Sequence, residues 1–139
     1  MQGYVVGFLL DARGRVALIR KNRPEWQAGR LNGIGGHVEP GETPDAAMTR
    51  EFFEETGVLV QDWDLFARME FPSAEIHFYR RWVIASVLDM LRTMTDEEIV
   101  VTNRDELAAE KIIPNLAWLV PLAAYTADRY EPLHVRATA

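Results

Sequence analysis

Gly36-His37-Val38-Glu39-Pro40-Gly41-Glu42-Thr43-Pro44-Asp45-Ala46-Ala47-Met48-Thr49-Arg50-Glu51-Phe52-Phe53-Glu54-Glu55-Thr56-Gly57-Val58 is the stretch from which the rest of the chain can be read. Thr43, Pro44 and Asp45 form a helix start: a hydroxyl that caps free amides, a proline at the first helical position, and an acid near the positive end of the helix dipole. Gly57 suits the left-handed residue that closes a helix, so the spacing predicts a helix over about 44–56. Glu51, Glu54 and Glu55 fall at spacings of three and four and therefore share one side of it. Left uncompensated, they repel. Such a face is either a solvated acidic surface or the seat of a hard divalent cation such as Mg²⁺, which prefers oxygen ligands. Ala46, Thr49 and Phe53 lie roughly opposite and are expected to pack on a sheet.

Before this helix, residues 2–10 and 15–20 are apolar and β-branched and flank Asp11-Ala12-Arg13-Gly14, the pattern of a hairpin. Residues 21–30 break into a polar loop, and Leu31 to Val38 reads as a glycine-rich extended stretch. After the helix, 58–71 and 75–88 read as two strands of a second hairpin around Phe71-Pro72-Ser73-Ala74. Residues 89–98 form a polar loop ending in Asp96-Glu97-Glu98, 99–102 a short strand, and 103–110 a short helix or turn. Residues 115–128 look helical, and Pro121 must either kink that run or mark a later start.

A chain of 139 residues suits one domain with one core. Its 48% hydrophobic and 26% charged residues are those of an ordinary globular fold. The absence of cysteine excludes disulfides, thiolate zinc sites and a cysteine nucleophile. Fifteen Lys and Arg against 21 Asp and Glu give a net charge of -6, the wrong sign for wrapping a nucleic acid polymer. A small phosphorylated ligand remains compatible, given local bases or divalent cations. The apolar run at the start has no basic segment before it and ends at Asp11, and no run of about 18 uncharged apolar residues occurs. Neither a signal peptide nor a membrane span is expected, which predicts a cytoplasmic protein.

The quoted stretch resembles the Nudix box, Gly-x5-Glu-x7-Arg-Glu-U-x-Glu-Glu-x-Gly-U with U apolar, and all nine specified positions match. Seven of them demand one residue type, and at about 6 to 7% usage each the chance at a given start is on the order of 10⁻⁹. The resemblance implies an α/β/α sandwich around a mixed β-sheet, and hydrolysis of a nucleoside diphosphate linked to another group with Mg²⁺ or Mn²⁺. Carried over by position, Glu51, Glu54 and Glu55 are the metal ligands, with a backbone carbonyl from Gly36. Arg50 orients the carboxylates, being able to hydrogen-bond an acid and hold its rotamer. Glu42 is a further outer acid or a cap of its loop. The proton of the attacking water goes to a box glutamate in some branches of the family and to an acid on a later loop in others, here Glu97 or Glu98; their other reading is a charged loop near a strand start.

Substrate choice lies outside the box. Trp26-Gln27-Ala28-Gly29-Arg30-Leu31-Asn32-Gly33 and Pro114-Asn115 are similar to the base-recognition segments of the MutT-like branch, which acts on oxidised purine nucleoside triphosphates. The resemblance implies that Trp26 stacks on the base while Asn32 and Asn115 read its edge, since an amide both donates and accepts. Asn115 also reads as a helix cap, and Trp26 as an ordinary loop aromatic. Lys21, Arg23 and Arg30 can reach phosphates or simply be solvated. His37, His77 and His134 have no ligand spacing and are given no role. The expectation is a small nucleotide substrate, no membrane or nucleic acid polymer, and a monomer or homodimer. An ADP-ribose or nucleotide-sugar pyrophosphatase and a non-catalytic nucleotide-sensing domain remain as alternatives.

Overall fold

The computed structural model describes residues 1–125 and 131–138. Its strands are β1 (Gln2–Leu10), β2 (Arg15–Arg20), β3 (Leu31–Asn32), β4 (Ile34–His37), β5 (Asp64–Glu70), β6 (Ala74–Trp82), β7 (Ile99–Asn103) and β8 (Leu133–Arg136). The helices are α1 (Pro44–Thr56), α2 (Ala85–Met90) and α3 (Leu116–Tyr125), with 3₁₀ turns at Glu25–Gln27 and Arg104–Ala109. The sheet runs β3-β2-β1-β6-β5-β8, with β4 also on β1 and β7 also on β2. It is mixed, since β1 runs parallel to β6, and β5 to β8, while the other pairs are antiparallel.

Side chains alternate across a strand, and β1 and β2 use both faces. Val5, Leu9, Ala17 and Ile19 join the core beneath α1, whereas Phe8, Leu10, Val16 and Leu18 join the core beneath α3. Burial on both sides explains why these strands read as continuous apolar runs rather than alternating ones. The result is the expected α/β/α sandwich, with α1 on one face and α3 on the other. Among the described residues, no helix is long and apolar enough to cross a membrane.

Helix α1 has the expected ends: Thr43 Oγ1 accepts from the Ala46 amide at 3.2 Å, and Gly57 sits at φ 76° with its amide on Phe53 O at 2.8 Å. Its buried face differs from the expected one. Ala47, Met48, Phe52 and Thr56 are buried, whereas Ala46 and Phe53 are exposed and Thr49 lies between. Two contacts set this rotation. Met48 fills the space left by Gly7 on β1, where a Cβ would lie 2.6 Å from Met48 Cε, and Phe52 packs on Trp63 at 5.1 Å between rings. The rotation tucks Glu51 and Glu55 against the buried stripe.

Other boundaries also move. Residues 58–63 are not strand, because Asp62 at φ 60° turns the chain before β5. Strand β6 stops at Trp82, where its partner β1 ends, and the rest of the expected second strand becomes α2, anchored by buried Leu88. The stretch 31–38 divides at Gly33 into β3, paired to β2, and β4, paired to β1. Helix α3 begins at Leu116 and runs through Pro121 to Tyr125, while the expected extension over 126–128 lies outside the described residues. Strand β8 carries no strand signal in its sequence: its four residues are legible only through their parallel pairing with β5.

Candidate active site

Strand β4 brings Gly36 beside Val5 of β1 and delivers the chain into the loop before α1. A Cβ at Gly36 would lie 2.5 Å from Glu51 Cδ and 2.6 Å from each of its oxygens, so the carboxylate occupies the space that any other residue would need. Absence of a side chain at position 36 and the placement of Glu51 are therefore one feature.

Arg50 organises the acids around it. Its Nε and Nη2 donate to Glu42 at 2.7 and 2.9 Å, Nη1 donates to Glu51 at 3.0 Å and to Glu54 at 3.2 and 3.3 Å, and Nη2 also donates to His37 O at 3.0 Å. The paired fork onto Glu42 is the geometry that arginine has and lysine lacks. Glu42 in turn accepts from the Glu39 amide at 3.0 Å, so it both caps its loop and anchors Arg50.

Electrostatics divide these acids. The Arg50 guanidinium holds Glu42 below the usual carboxylate range. Burial pushes Glu51 up in spite of Arg50, and pushes Glu55 up in spite of a hydrogen bond from Thr95 Oγ1 at 2.9 Å. Two partly buried carboxylates are thus disfavoured in their charged form, Glu51 against Gly36 and Glu55 against Thr95. Among the described residues, no three acids or histidines converge as an ion cage; Arg50 and Thr95 donate to the Glu51 and Glu55 carboxylates. The donors are all oxygens, hard and anionic, and they fit Mg²⁺ or Mn²⁺.

The later acids differ from each other. Glu97 is 5% exposed and accepts from Lys21 Nζ at 3.0 Å and from the Asn22 amide at 2.6 Å. Burial works to raise its pKa, but those donors outweigh it and hold the carboxyl low. Glu98 is exposed, with one oxygen 3.7 Å from Arg20 Nε. Lys21 is thus engaged with Glu97, and Arg23 with Asp96. Arg30 donates to Ile112 O at 3.3 Å.

The expected base-recognition residues lie on two segments that a single bridge joins. Leu31 bridges Ile112, with the Leu31 amide on Lys111 O at 2.8 Å and the Ile113 amide on Leu31 O at 2.9 Å, which brings the chain leading to Asn115 alongside Asn32. Asn32 donates to Gln27 Oε1 at 3.1 Å and accepts from the Gly33 amide at 2.7 Å. Asn115 Oδ1 accepts from the Trp118 indole at 3.2 Å. Trp26, on the 3₁₀ turn, is 62% exposed. Thr95 is the site neighbour that sequence reasoning missed. Its spacing to Glu97 has the pattern of a hydroxyl turn, but nothing local says that this loop meets α1.

The NUDIX domain model matches residues 2–134, and the chain belongs to that family. It is 32% identical over 72 residues to the 8-oxo-dGTP diphosphatase of Escherichia coli K12, covering 52% of this chain and 56% of that protein. It is 41% identical over 73 residues to the oxidized purine nucleoside triphosphate hydrolase of Danio rerio, covering 48% of this chain and 46% of that one. The chain thus spans about half the length of the curated relatives it matches. In overall shape it is similar to a MutT structure from a study of Aliivibrio salmonicida and Vibrio cholerae, with TM-score 0.73 and 21% identity over 90% of this chain and 98% of that one. That similarity concerns the fold.

Proposed function

We propose that this chain is a metal-dependent hydrolase that cleaves the phosphoric anhydride of nucleoside triphosphates carrying an oxidised purine. The observation that carries the reading is the Glu51 carboxylate filling the space beside Gly36, with Arg50 tying Glu42, Glu51 and Glu54 into one array. The substrate class is supported by the names of the two relatives, by the Leu31–Ile112 bridge that joins the segments carrying Asn32 and Asn115, and by the exposure of Trp26.

In this reading Glu51, Glu55 and the Gly36 carbonyl hold Mg²⁺ or Mn²⁺, and Glu54 either joins them or takes the proton of the attacking water. When bound, the divalent ion supplies charge neutralisation at the phosphates and an acidified water. Arg50 keeps Glu51 and Glu54 in fixed rotamers, which lowers the entropy cost of assembling the site. Glu97, with a donor on each oxygen, anchors the loop, and Glu98 stays at the surface beside Arg20. Trp26 stacks on the base and Asn32 and Asn115 meet its edge, while Lys21 and Arg23, paired with Glu97 and Asp96, offer positive charge to the phosphates. Incubation with Mg²⁺ and a panel of oxidised and normal nucleoside triphosphates, ADP-ribose and dinucleoside polyphosphates tests this, with an oxidised purine triphosphate expected to be turned over best.

Base recognition makes its own prediction. Asn115→Ala removes an edge contact worth about 1 to 3 kcal/mol when the partner group is left unpaired, and Trp26→Ala removes a stacking surface of about the same worth. Each is expected to lower kcat/KM by about ten- to a hundredfold, and Asn115→Ala to flatten discrimination among bases. Best activity on ADP-ribose, with base selectivity unmoved by either change, overturns the substrate reading.

Stability follows from the same carboxylates. Because Glu51 and Glu55 bind protons more tightly in the folded chain than in the unfolded one, their charged forms weaken the metal-free protein at neutral pH. That penalty fades as pH falls through their raised folded pKa and is gone below the ordinary glutamate value. Glu42 and Glu97 act in the opposite sense: their stabilisation is full above the ordinary value and is lost as pH falls through their lowered ones. Glu55→Gln is therefore expected to melt higher than the parent without metal at pH 7, with the gap closing near about pH 4. Mg²⁺ is expected to raise the parent's Tm by mass action and that of Glu55→Gln much less. A parent Tm indifferent to millimolar Mg²⁺ counts against ion binding on α1.

A further inference from the structure

Thr95, on the loop between α2 and β7, makes two hydrogen bonds of opposite sense: its hydroxyl donates to Glu55 Oε2 at 2.9 Å, and its oxygen accepts from the Glu97 amide at 3.2 Å. A hydroxyl has one proton and turns freely until a partner fixes it. With a lone pair committed to the Glu97 amide, the proton is aimed at Glu55.

The loop behind Thr95 is itself held from two sides. Lys21 and the Asn22 amide secure Glu97, while Arg23 and the Asn22 side chain secure Asp96. On the other side, the Arg92 amide donates to Thr56 O at 3.1 Å and the Met94 amide to Glu55 O at 3.3 Å, docking the loop on the last turn of α1. Thr95 thus meets the Glu55 carboxylate from a loop pinned both to the segment after β2 and to the end of α1.

We propose that Thr95 is a positioning residue that holds the Glu55 carboxylate ready to ligate. The inference rests on the reading of Glu55 as a metal ligand. A glutamate side chain loses considerable rotamer freedom when fixed, and a carboxylate already fixed does not lose it again when the ion arrives. Partners that orient a ligand in this way are worth about 10- to 100-fold in metal affinity or activity.

Thr95 is exposed, so its substitution leaves both cores intact. Valine keeps the shape and removes both hydrogen bonds, whereas serine keeps both. Mn²⁺ alone is titrated into the full chain and followed by the electron paramagnetic resonance signal of the free ion, and kinetics are then measured with the best nucleotide of the panel. Thr95→Val is expected to weaken Mn²⁺ binding about tenfold and to lower kcat about tenfold, with KM for the nucleotide within about twofold of the parent. Thr95→Ser is expected to keep Mn²⁺ affinity and kcat within about threefold of the parent. A hydroxyl that serves only the loop would lower Tm and leave Mn²⁺ affinity unchanged, which overturns the proposal. Glu55→Gln is measured alongside. If Glu55→Gln weakens Mn²⁺ binding and Thr95→Val does not, the positioning role alone fails. If neither weakens it, the ligand reading of Glu55 fails as well.

Discussion

Glu55→Gln and Glu51→Gln are each expected to lower turnover by about a thousandfold, the equivalent of ~4 kcal/mol of transition-state stabilisation. Glutamine keeps the size of the side chain and removes the charge that would hold a divalent ion. Both positions sit beside the buried stripe of α1 without belonging to it, so the fold is expected to survive. Glu54→Gln divides the remaining alternatives: weakened Mn²⁺ binding makes Glu54 a ligand, and retained Mn²⁺ binding with lost turnover makes it the proton acceptor. Full activity of Glu55→Gln in excess chelator would end the hydrolase mechanism.

Adjacent glycines on β4 are expected to fail in different ways. At Gly35, a Cβ would lie 1.8 Å from Val5 O and 2.7 Å from Val5 C, which are backbone atoms of the central strand β1. Backbone held in a hydrogen-bonded ladder cannot step aside, so Gly35→Ala must detach β4. The expected loss is at least about 4 kcal/mol, among the largest seen for single substitutions, and a Tm lower by roughly 12 °C or more. At Gly36, the Cβ meets the far end of the Glu51 side chain, which can swing away. Gly36→Ala is therefore expected to cost less than about 1 kcal/mol of stability and yet to lower turnover by about a hundredfold, because the displaced carboxylate can no longer face the same ion. Thermal melts and single-substrate kinetics on the two variants check this; equal effects on both readouts at both positions would show that Glu51 is not held by the glycine.

Local chemistry determined a good deal of this molecule. Helix α1 was legible from end to end, because Thr43, Pro44 and Gly57 act within one turn of where they stand. The hairpin of β1 and β2 was legible for the same reason, as was the shared side of Glu51, Glu54 and Glu55, which follows from helical spacing alone. The motif then identified the family, and with it the sandwich that the chain adopts.

What only the tertiary structure decided is whatever depends on a partner far along the chain. The face that α1 buries differs from the one its sequence suggests because Met48 is drawn in by a gap at Gly7, and Phe52 by Trp63, neither of which leaves a mark on the helix's own pattern. Strand β8 has too few residues to announce itself and exists through β5. The meeting of Lys21 with Glu97 joins residues 76 apart in sequence, and that of Thr95 with Glu55 joins residues 40 apart. Sequence periodicity reports the neighbours at three or four residues, or at two. The acids were therefore visible from the start, whereas the positions of their donors and the depth of their burial, and so the direction in which each carboxylate's pKa moves, came from the packing of β4, α1 and the loop before β7.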